Sequence, residues 1–390
     1  MSKQLAARIT SLSPSATLAV DAIVKKFQGE GKKIYNLSLG EPDFATPKNI
    51  QSAATQAMRE GYTHYTTTAG IPELRKSIAD KFSLENAIKY DPLEIVVGVG
   101  SKQLLYNALM VLCEEGDEVL VPVPTWSTYV EQVKLTLATP VPTKLSPPFK
   151  LTAKDVEKKV TKKTKVVILN SPANPTGAVI EKKELQKIAK LAVAKNIWIL
   201  SDEIYEKLLY GGKHFSIASF GSDIKKRTVT INGFSKSYAM TGWRIGYAGG
   251  PKDVITAMVN LQSQTTSNTS SIAQYAGVEA LSGSQTSIKK MALAFLTRRA
   301  FLLHAFSGID RLSIVAPEGA FYLFINVEKC LNKKIKTSAE WCERLLEKEH
   351  VALVPGEAFL YPGWARMSFA TSMDVLEEAV KRISRFVQNF

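Results

Sequence analysis

A lysine lies between two serines at Ser235-Lys236-Ser237, and an arginine follows at Arg244. Arg227–Asn232 before it alternates β-formers, and Arg244–Gly250 after it reads as a second strand kept slim by glycine. A lysine held at such a strand end is either ion-paired or chemically employed, as an amine that forms a Schiff base or moves a proton. Further polar groups recur where apolar runs stop. After Glu94–Val99 comes Gly100-Ser101-Lys102-Gln103, a glycine turn that opens a helix. Its free N–H groups suit a phosphate, although alone such a turn is more often a plain cap. After Lys165–Leu169 comes a loop from Asn170 to Gly177 that Pro172 and Pro175 stiffen, fixing the direction of the Asn174 amide. After Ile197–Leu200 comes Ser201-Asp202-Glu203-Ile204-Tyr205. An aspartate at a buried strand end requires a cationic or hydrogen-bonding partner.

These groups need elements to hold them. Apolar strands alternate with amphipathic helices at 102–113 and 182–194, with Leu104, Leu105, Ala108, Leu109 and Leu112 on one side of the first. That alternation predicts an α/β domain with a mostly parallel sheet, and ligands of such sheets sit beyond the carboxyl ends of the strands. The chain ends read differently. Helices are expected at 14–29, 288–306 and 373–388, and short strands near 320–325, 350–354 and 365–370. This pattern predicts a smaller α+β domain built from both ends, dividing the chain into 1–48 (small), 49–289 (large) and 290–390 (small).

Composition narrows the possible classes. The 390 residues are 45% hydrophobic and 22% charged, ordinary for a soluble globular protein large enough for more than one domain. Cys113, Cys330 and Cys342 are scattered with no CxxC pair, and only four histidines occur. A disulfide framework or a zinc site is not expected, and a reducing, cytoplasmic compartment is. The amino-terminal segment lacks a sustained apolar run, and no stretch of ~20 apolar residues suggests a membrane span. A net charge of +14 raises the question of nucleic acid. Its lysines, however, come as dispersed pairs such as Lys32-Lys33, Lys158-Lys159 and Lys162-Lys163, without interleaved aromatics. A solvated basic surface is the expectation, with neither nucleic acid nor membrane as partner.

One sheet edge thus offers a phosphate cup, an amide, an aspartate, a phenol, a lysine and an arginine. No GxGxxG follows the first strand, no GxxxxGK[ST] occurs, and His64 and His214 do not stand where a Ser/His/Asp hydrolase needs its base. The set matches pyridoxal 5′-phosphate, which takes a lysine Schiff base and an acidic partner for its ring nitrogen. Beyond that chemistry, the chain resembles the class I, fold type I aminotransferases, and within them the bacterial aspartate aminotransferases. Ordered motifs over nearly the whole chain carry the resemblance. They are Ser13-Pro-Ser-Ala-Thr17, Gly40-Glu-Pro-Asp-Phe44, Tyr65 before Ala69-Gly-Ile-Pro-Glu-Leu-Arg75, and Asn174-Pro-Thr-Gly177. Ser201-Asp-Glu-Ile-Tyr205, Ser235-Lys-Ser237, Gly242-Trp-Arg244 and Arg366-Met-Ser-Phe-Ala-Thr-Ser372 complete the set.

The resemblance implies a mostly parallel seven-stranded-type sheet covered by helices, and a role for each motif. Lys236 would bind the cofactor covalently and serve as general base, then acid. Asp202 would face the ring nitrogen, and Tyr205 and Asn174 the ring oxygen. Ser235, Arg244 and the backbone at Ser101 and Lys102 would hold the phosphate, and Trp126 would stack on the ring, where without this context a tryptophan is read as core. Arg366 would clamp the substrate α-carboxylate, and Gly40 would let backbone approach it. Tyr65 would reach the phosphate of a neighbouring subunit, which implies a homodimer with shared active sites. The substrates implied are amino acids and 2-oxo acids. Lys102, aided by Ser15 and Thr17, is the expected anchor for a distal carboxylate, which points to aspartate and 2-oxoglutarate. An aromatic or prephenate aminotransferase is the alternative, although relatives acting on prephenate carry a basic residue at the position of Ser13. A non-enzymatic regulator with this fold would need an added DNA-binding domain or a damaged Lys/Asp pair, and the sequence shows neither.

Overall fold

The computed structural model describes residues 5–14 and 16–389, without the side chains of residues 7 and 16–18. Ser15 and the Thr17 side chain, expected near the distal carboxylate, therefore lie outside the described residues. In chain order the strands are β1 (Tyr35–Asn36), β2 (Ile95–Gly98), β3 (Glu118–Val123), β4 (Thr139–Lys144), β5 (Thr164–Asn170) and β6 (Trp198–Asp202). They continue with β7 (Thr228–Gly233), β8 (Gly246–Gly249), β9 (Ser313–Val315), β10 (Tyr322–Asn326), β11 (Val351–Ala352), β12 (Val354–Pro355) and β13 (Trp364–Ser368).

Seven strands form the central sheet in the order β2-β8-β7-β6-β5-β3-β4. All neighbours are parallel except β8, which runs antiparallel to both β2 and β7. β6 and β7 are buried on both faces, as near-continuous runs of Ile, Leu, Val and Thr require. The helix Ser101–Leu112 covers the sheet with Leu104, Leu105, Ala108, Leu109 and Leu112, the residues expected from its periodicity. Each such leucine contributes roughly 1.5–3 kcal/mol of burial.

One sequence expectation needs correction, and one strand lies where none was read. β4 carries Pro140 and Pro142, residues that weigh against a strand. It forms all the same as the last strand of the sheet, where a missing N–H can face outward. The strand expected from Arg244 opens only at Gly246. Arg244 instead sits in a left-handed turn with φ of 52°, which swings its side chain out of the ladder.

A second, antiparallel sheet has the order β12-β13-β10-β9. The helices Thr286–Ser307 and Met373–Gln388 pack on it. The latter buries Leu376, Ala379, Val380, Ile383, Phe386 and Val387 along one stripe. β1 pairs with β11, tying the amino-terminal part of the chain to this carboxyl-terminal unit. The core of the unit also takes in Ile204, Tyr205 and Leu208, the turn that follows β6. The carboxyl edge of the large sheet is thus covered by the smaller unit, and the crevice between them is closed at the bottom by strand ends.

Candidate active site

That crevice holds a cavity of 340 Å³. β6 ends on Asp202, the segment after β7 supplies Ser235 and Lys236, and the loop after β5 supplies Asn170 and Asn174. The helix after β2 opens with Ser101 and Lys102, and Trp126 follows β3. The other side brings Gly40, Tyr322 from β10 and Arg366 from β13. Of the residues expected at the site whose side chains are described, all line this cavity except Tyr65, which stands 92% exposed outside it.

Charge in the cavity is lopsided. Lys102, Lys236, Arg244 and Arg366 face a single carboxylate, Asp202. Arg366 is 2% exposed and is held on neutral partners: Nη1 donates to Asn174 Oδ1 at 3.0 Å and Nη2 to the Ser38 carbonyl at 2.7 Å. Its guanidinium lies 4.4 Å from the centre of the Tyr322 ring, and its Nε–H has no partner among the described residues. A buried guanidinium with an unmet donor and no carboxylate is prepared for an anion. Lys102 Nζ sits 4.7 Å over the Trp126 ring; burial, with Arg244 nearby, lowers its pKa.

Lys236 is half-buried, and its Nζ donates to the Gly40 carbonyl. Burial depresses its pKa to about 8, with Arg366 and Arg244 adding to the depression and Glu41 and Asp202 opposing it. Its neutral amine, the form a nucleophile or base needs, is therefore accessible near neutral pH. Asp202 moves the opposite way. Burial raises it to about 6, against hydrogen bonds from the Tyr129 hydroxyl to Oδ2 at 2.6 Å and from the Ile204 N–H to Oδ1 at 3.2 Å. A buried carboxylate in that condition is stabilised by a facing cation. Tyr205 and Tyr322 hydrogen-bond each other at 2.8 Å, and burial pushes the Tyr205 phenol well up, so it stays protonated and able to donate.

The cavity also contains a seat for a phosphate. Among the described residues no side chain caps the helix Ser101–Leu112, so its first N–H groups are open to a ligand. Gly100 has φ of 81°, and a Cβ there would lie 2.7 Å from Arg244 Nη2. The arginine thus rests where only glycine leaves room. The Ser101 hydroxyl, by contrast, already donates to the Asn232 carbonyl at 2.9 Å, leaving its N–H as the free donor.

Four lining residues had not been singled out: Tyr129, Asn170, Ile204 and Tyr322. Tyr129 follows Trp126 by three residues beyond the end of β3, so the rule of strand ends applied further would have reached it. Tyr322 arrives through the pairing of β10 with β13, a register that its own sequence does not announce.

Comparison with known proteins bears on this geometry. The sequence profile of "Aminotransferase class I and II" matches residues 32–383. The chain belongs to the class I and II aminotransferases. Aspartate aminotransferase of Bacillus sp. (strain YM-2) is 46% identical over the full length of both chains. A probable aspartate/prephenate aminotransferase of Aquifex aeolicus is 44% identical, again over both full lengths. Among solved structures, the aspartate aminotransferase from Thermus thermophilus with maleate superposes with a TM-score of 0.94. It is 40% identical and covers 98% of this chain and 100% of its own. Aminotransferases of this family depend on pyridoxal phosphate, and this cavity fits the group: a lysine of lowered pKa, a buried carboxylate that no cation hydrogen-bonds among the described residues, and a glycine-lined phosphate seat at a helix start.

Proposed function

We propose that this aminotransferase moves the amino group of L-aspartate to 2-oxoglutarate, giving oxaloacetate and L-glutamate. The supporting observation is the number of free cations. Once the cofactor is bound, Arg244 is engaged by its phosphate and Lys236 by its covalent bond. Arg366 and Lys102 remain for the substrate. Two cations suit a dicarboxylate, one for each end. The Thermus relative was solved with maleate, itself a four-carbon dicarboxylate, and several relatives carry the name aspartate aminotransferase.

In this reading Arg366 takes the α-carboxylate through its fork of N–H donors and Asn174 holds that fork in place. Lys102 takes the distal carboxylate. Gly40 leaves the approach open, since a Cβ there would press on the Tyr322 hydroxyl at 3.0 Å. Trp126 covers the ring face and excludes water. Asp202, whose direct partners are the Tyr129 hydroxyl and the Ile204 N–H, would keep the ring nitrogen protonated, and Tyr205 would donate its hydroxyl to the ring oxygen. Bound pyridoxal phosphate supplies the electron sink that makes the substrate Cα–H acidic. Once the substrate amine has taken its place on the cofactor, the freed Lys236 amine would remove that proton from Cα and return it at C4′, a role that its lowered pKa suits. The backbone N–H groups of Ser101 and Lys102, with Ser235 and Arg244, hold the phosphate, which leaves the Lys102 ammonium free. The division into 1–48, 49–289 and 290–390 puts Arg366 on the small domain and Lys236 on the large one, so substrate binding spans both. The active unit in this reading is a homodimer that shares Tyr65 across the interface. Three buried free cysteines suit a reducing cytoplasm.

The test is an amino-donor panel with 2-oxoglutarate as acceptor. Aspartate and glutamate are expected to exceed alanine and phenylalanine in kcat/KM. Names shared with aspartate/prephenate aminotransferases justify adding prephenate as an acceptor. A preference for aromatic donors or for prephenate over the dicarboxylates would overturn the assignment.

A further inference from the structure

Behind the catalytic turn lies a buried polar network that the reaction does not touch. Asp202 and Tyr205 face the cavity, whereas Glu203 and Glu206 leave the same short segment in the other direction and are almost fully buried. Glu203 accepts four hydrogen bonds. They come from Ser201 Oγ to Oε1 at 3.0 Å, and to Oε2 from Ser216 Oγ at 2.5 Å, His214 Nε2 at 2.9 Å and Asn86 Nδ2 at 3.3 Å. Glu206 pairs with the buried Lys81 and accepts from Asn86 Nδ2 at 2.7 Å. Asn86 in turn accepts from Lys81 Nζ at 2.6 Å through Oδ1.

The groups come from three places: the helix Pro72–Asn86, the turn after β6, and the loop carrying His214 and Ser216. Two buried carboxylates so close together repel one another unless cations meet them, and here Lys81 and His214 do. With the lysine ammonium already on Glu206, the cluster has its cation built in and is not a vacant metal site. Such an arrangement costs desolvation and would be replaceable by apolar packing if stability were all it served.

We propose that Glu203 and Glu206 are positioning residues which clamp the turn from behind, so that Asp202 and Tyr205 meet the cofactor ring at a fixed angle. This rests on the reading that Asp202 and Tyr205 face the cofactor. Rotation of the turn in either direction would carry both groups away together, since they share one backbone segment. The His214 side chain is faced by Glu203, Glu206 and Lys81, and the two carboxylates hold its pKa above that of a free imidazole against the effect of burial. Its proton therefore favours the pairing with Glu203.

The experiment uses holoenzyme and three variants: Glu203→Gln, Ser216→Ala and His214→Gln. Each is followed by the pH titration of its visible cofactor absorbance, by kcat and KM for aspartate, and by thermal melting. Wild type is expected to show a pH-dependent visible band; its absence would overturn the underlying assignment of the site instead of the clamp. Glu203→Gln removes a negative charge beside Asp202 and is expected to lower the midpoint of that titration by on the order of half a pH unit. Turnover is expected to fall about tenfold or more, with KM moving by less than about threefold, because the substrate anchors lie on other elements. Ser216→Ala and His214→Gln each remove one hydrogen bond to Glu203 and are expected to lower kcat in the same KM-neutral way. If Glu203→Gln does not fold, these two milder variants decide. Variants that melt earlier yet keep the wild-type midpoint and kcat would reduce the clamp to a structural feature and overturn the proposal.

Discussion

Lys236 illustrates how a site can cost stability. In the unfolded chain its amine holds a proton up to about pH 10.5, but in the folded protein only up to about 8. Between those values the unfolded state binds more protons, so stability rises with pH across that window. Below about pH 8 the folded protein bears the full cost of a desolvated ammonium, about 3 kcal/mol. Cofactor-free Lys236→Met is therefore expected to be more stable than cofactor-free parent at pH 7. That gap should close as pH rises from about 8 to 10.5 in denaturant titrations. A gap independent of pH would mean that the amine is not the source of the difference. The two anchoring cations can be separated in the same residue-by-residue manner. Lys102→Ala is expected to weaken kcat/KM for aspartate by roughly ten- to a hundredfold, the worth of a charge-assisted bond, and to leave alanine nearly unchanged. Arg366→Ala should impair both donors alike, since each carries an α-carboxylate. Equal losses in Lys102→Ala would assign Lys102 to the phosphate.

Elements set what these side chains can reach. The strand ends were legible because an apolar run that stops on Asp, Asn or Ser needs little context: Asp202, Asn174 and Lys236 all line the cavity that their spacing implied. Three kinds of feature were not legible. The β4 strand carries two prolines that its edge position tolerates. The Arg244 turn depends on a left-handed backbone that sequence favours for glycine, not arginine. The buried pairing of Lys81 with Glu206 joins residues far apart in the chain, and only the packed helix and turn bring them together. Close approach of elements is also where a conservative change should be felt. β8 runs so near the start of the helix Ser101–Leu112 that a Cβ on Gly246 would lie 2.6 Å from the Ser101 nitrogen. Gly246→Ala is expected to push the phosphate seat aside and weaken cofactor affinity by about tenfold or more, a loss of ~1.4 kcal/mol or greater. Gly29→Ala, with open space around it, serves as control. Cofactor titration of the stripped enzymes checks both, and equal affinities would show that the helix start yields without cost.

At the scale of the whole molecule, one residue is out of place. Tyr65 belongs to the motif set of the family, yet it is 92% exposed and absent from the cavity of its own chain. A phenol in solvent does nothing for a phosphate, and large exposed aromatics usually mark a surface that another chain covers. Tyr62, 42% exposed and stacked on Tyr275 at 4.2 Å, and Met58, 50% exposed, extend the same neighbourhood. If a two-fold axis passes nearby, the Tyr65 of each subunit enters the cavity of the other. A mixing experiment distinguishes this from a local role. Lys236→Ala has no working site but presents an intact Tyr65; Tyr65→Phe has an intact lysine but lacks the hydroxyl. In a mixed dimer the cavity that keeps Lys236 receives Tyr65 from its neighbour, so it should recover the cofactor affinity that the Tyr65→Phe parent has lost. One site per mixed dimer is restored and the other stays dead. Refolded or exchanged mixtures should therefore retain more cofactor at limiting concentration than either parent population predicts. Sedimentation should find a dimer throughout. No recovery in demonstrably mixed dimers would place Tyr65 outside the shared site, and a fully active monomer would remove the sharing altogether.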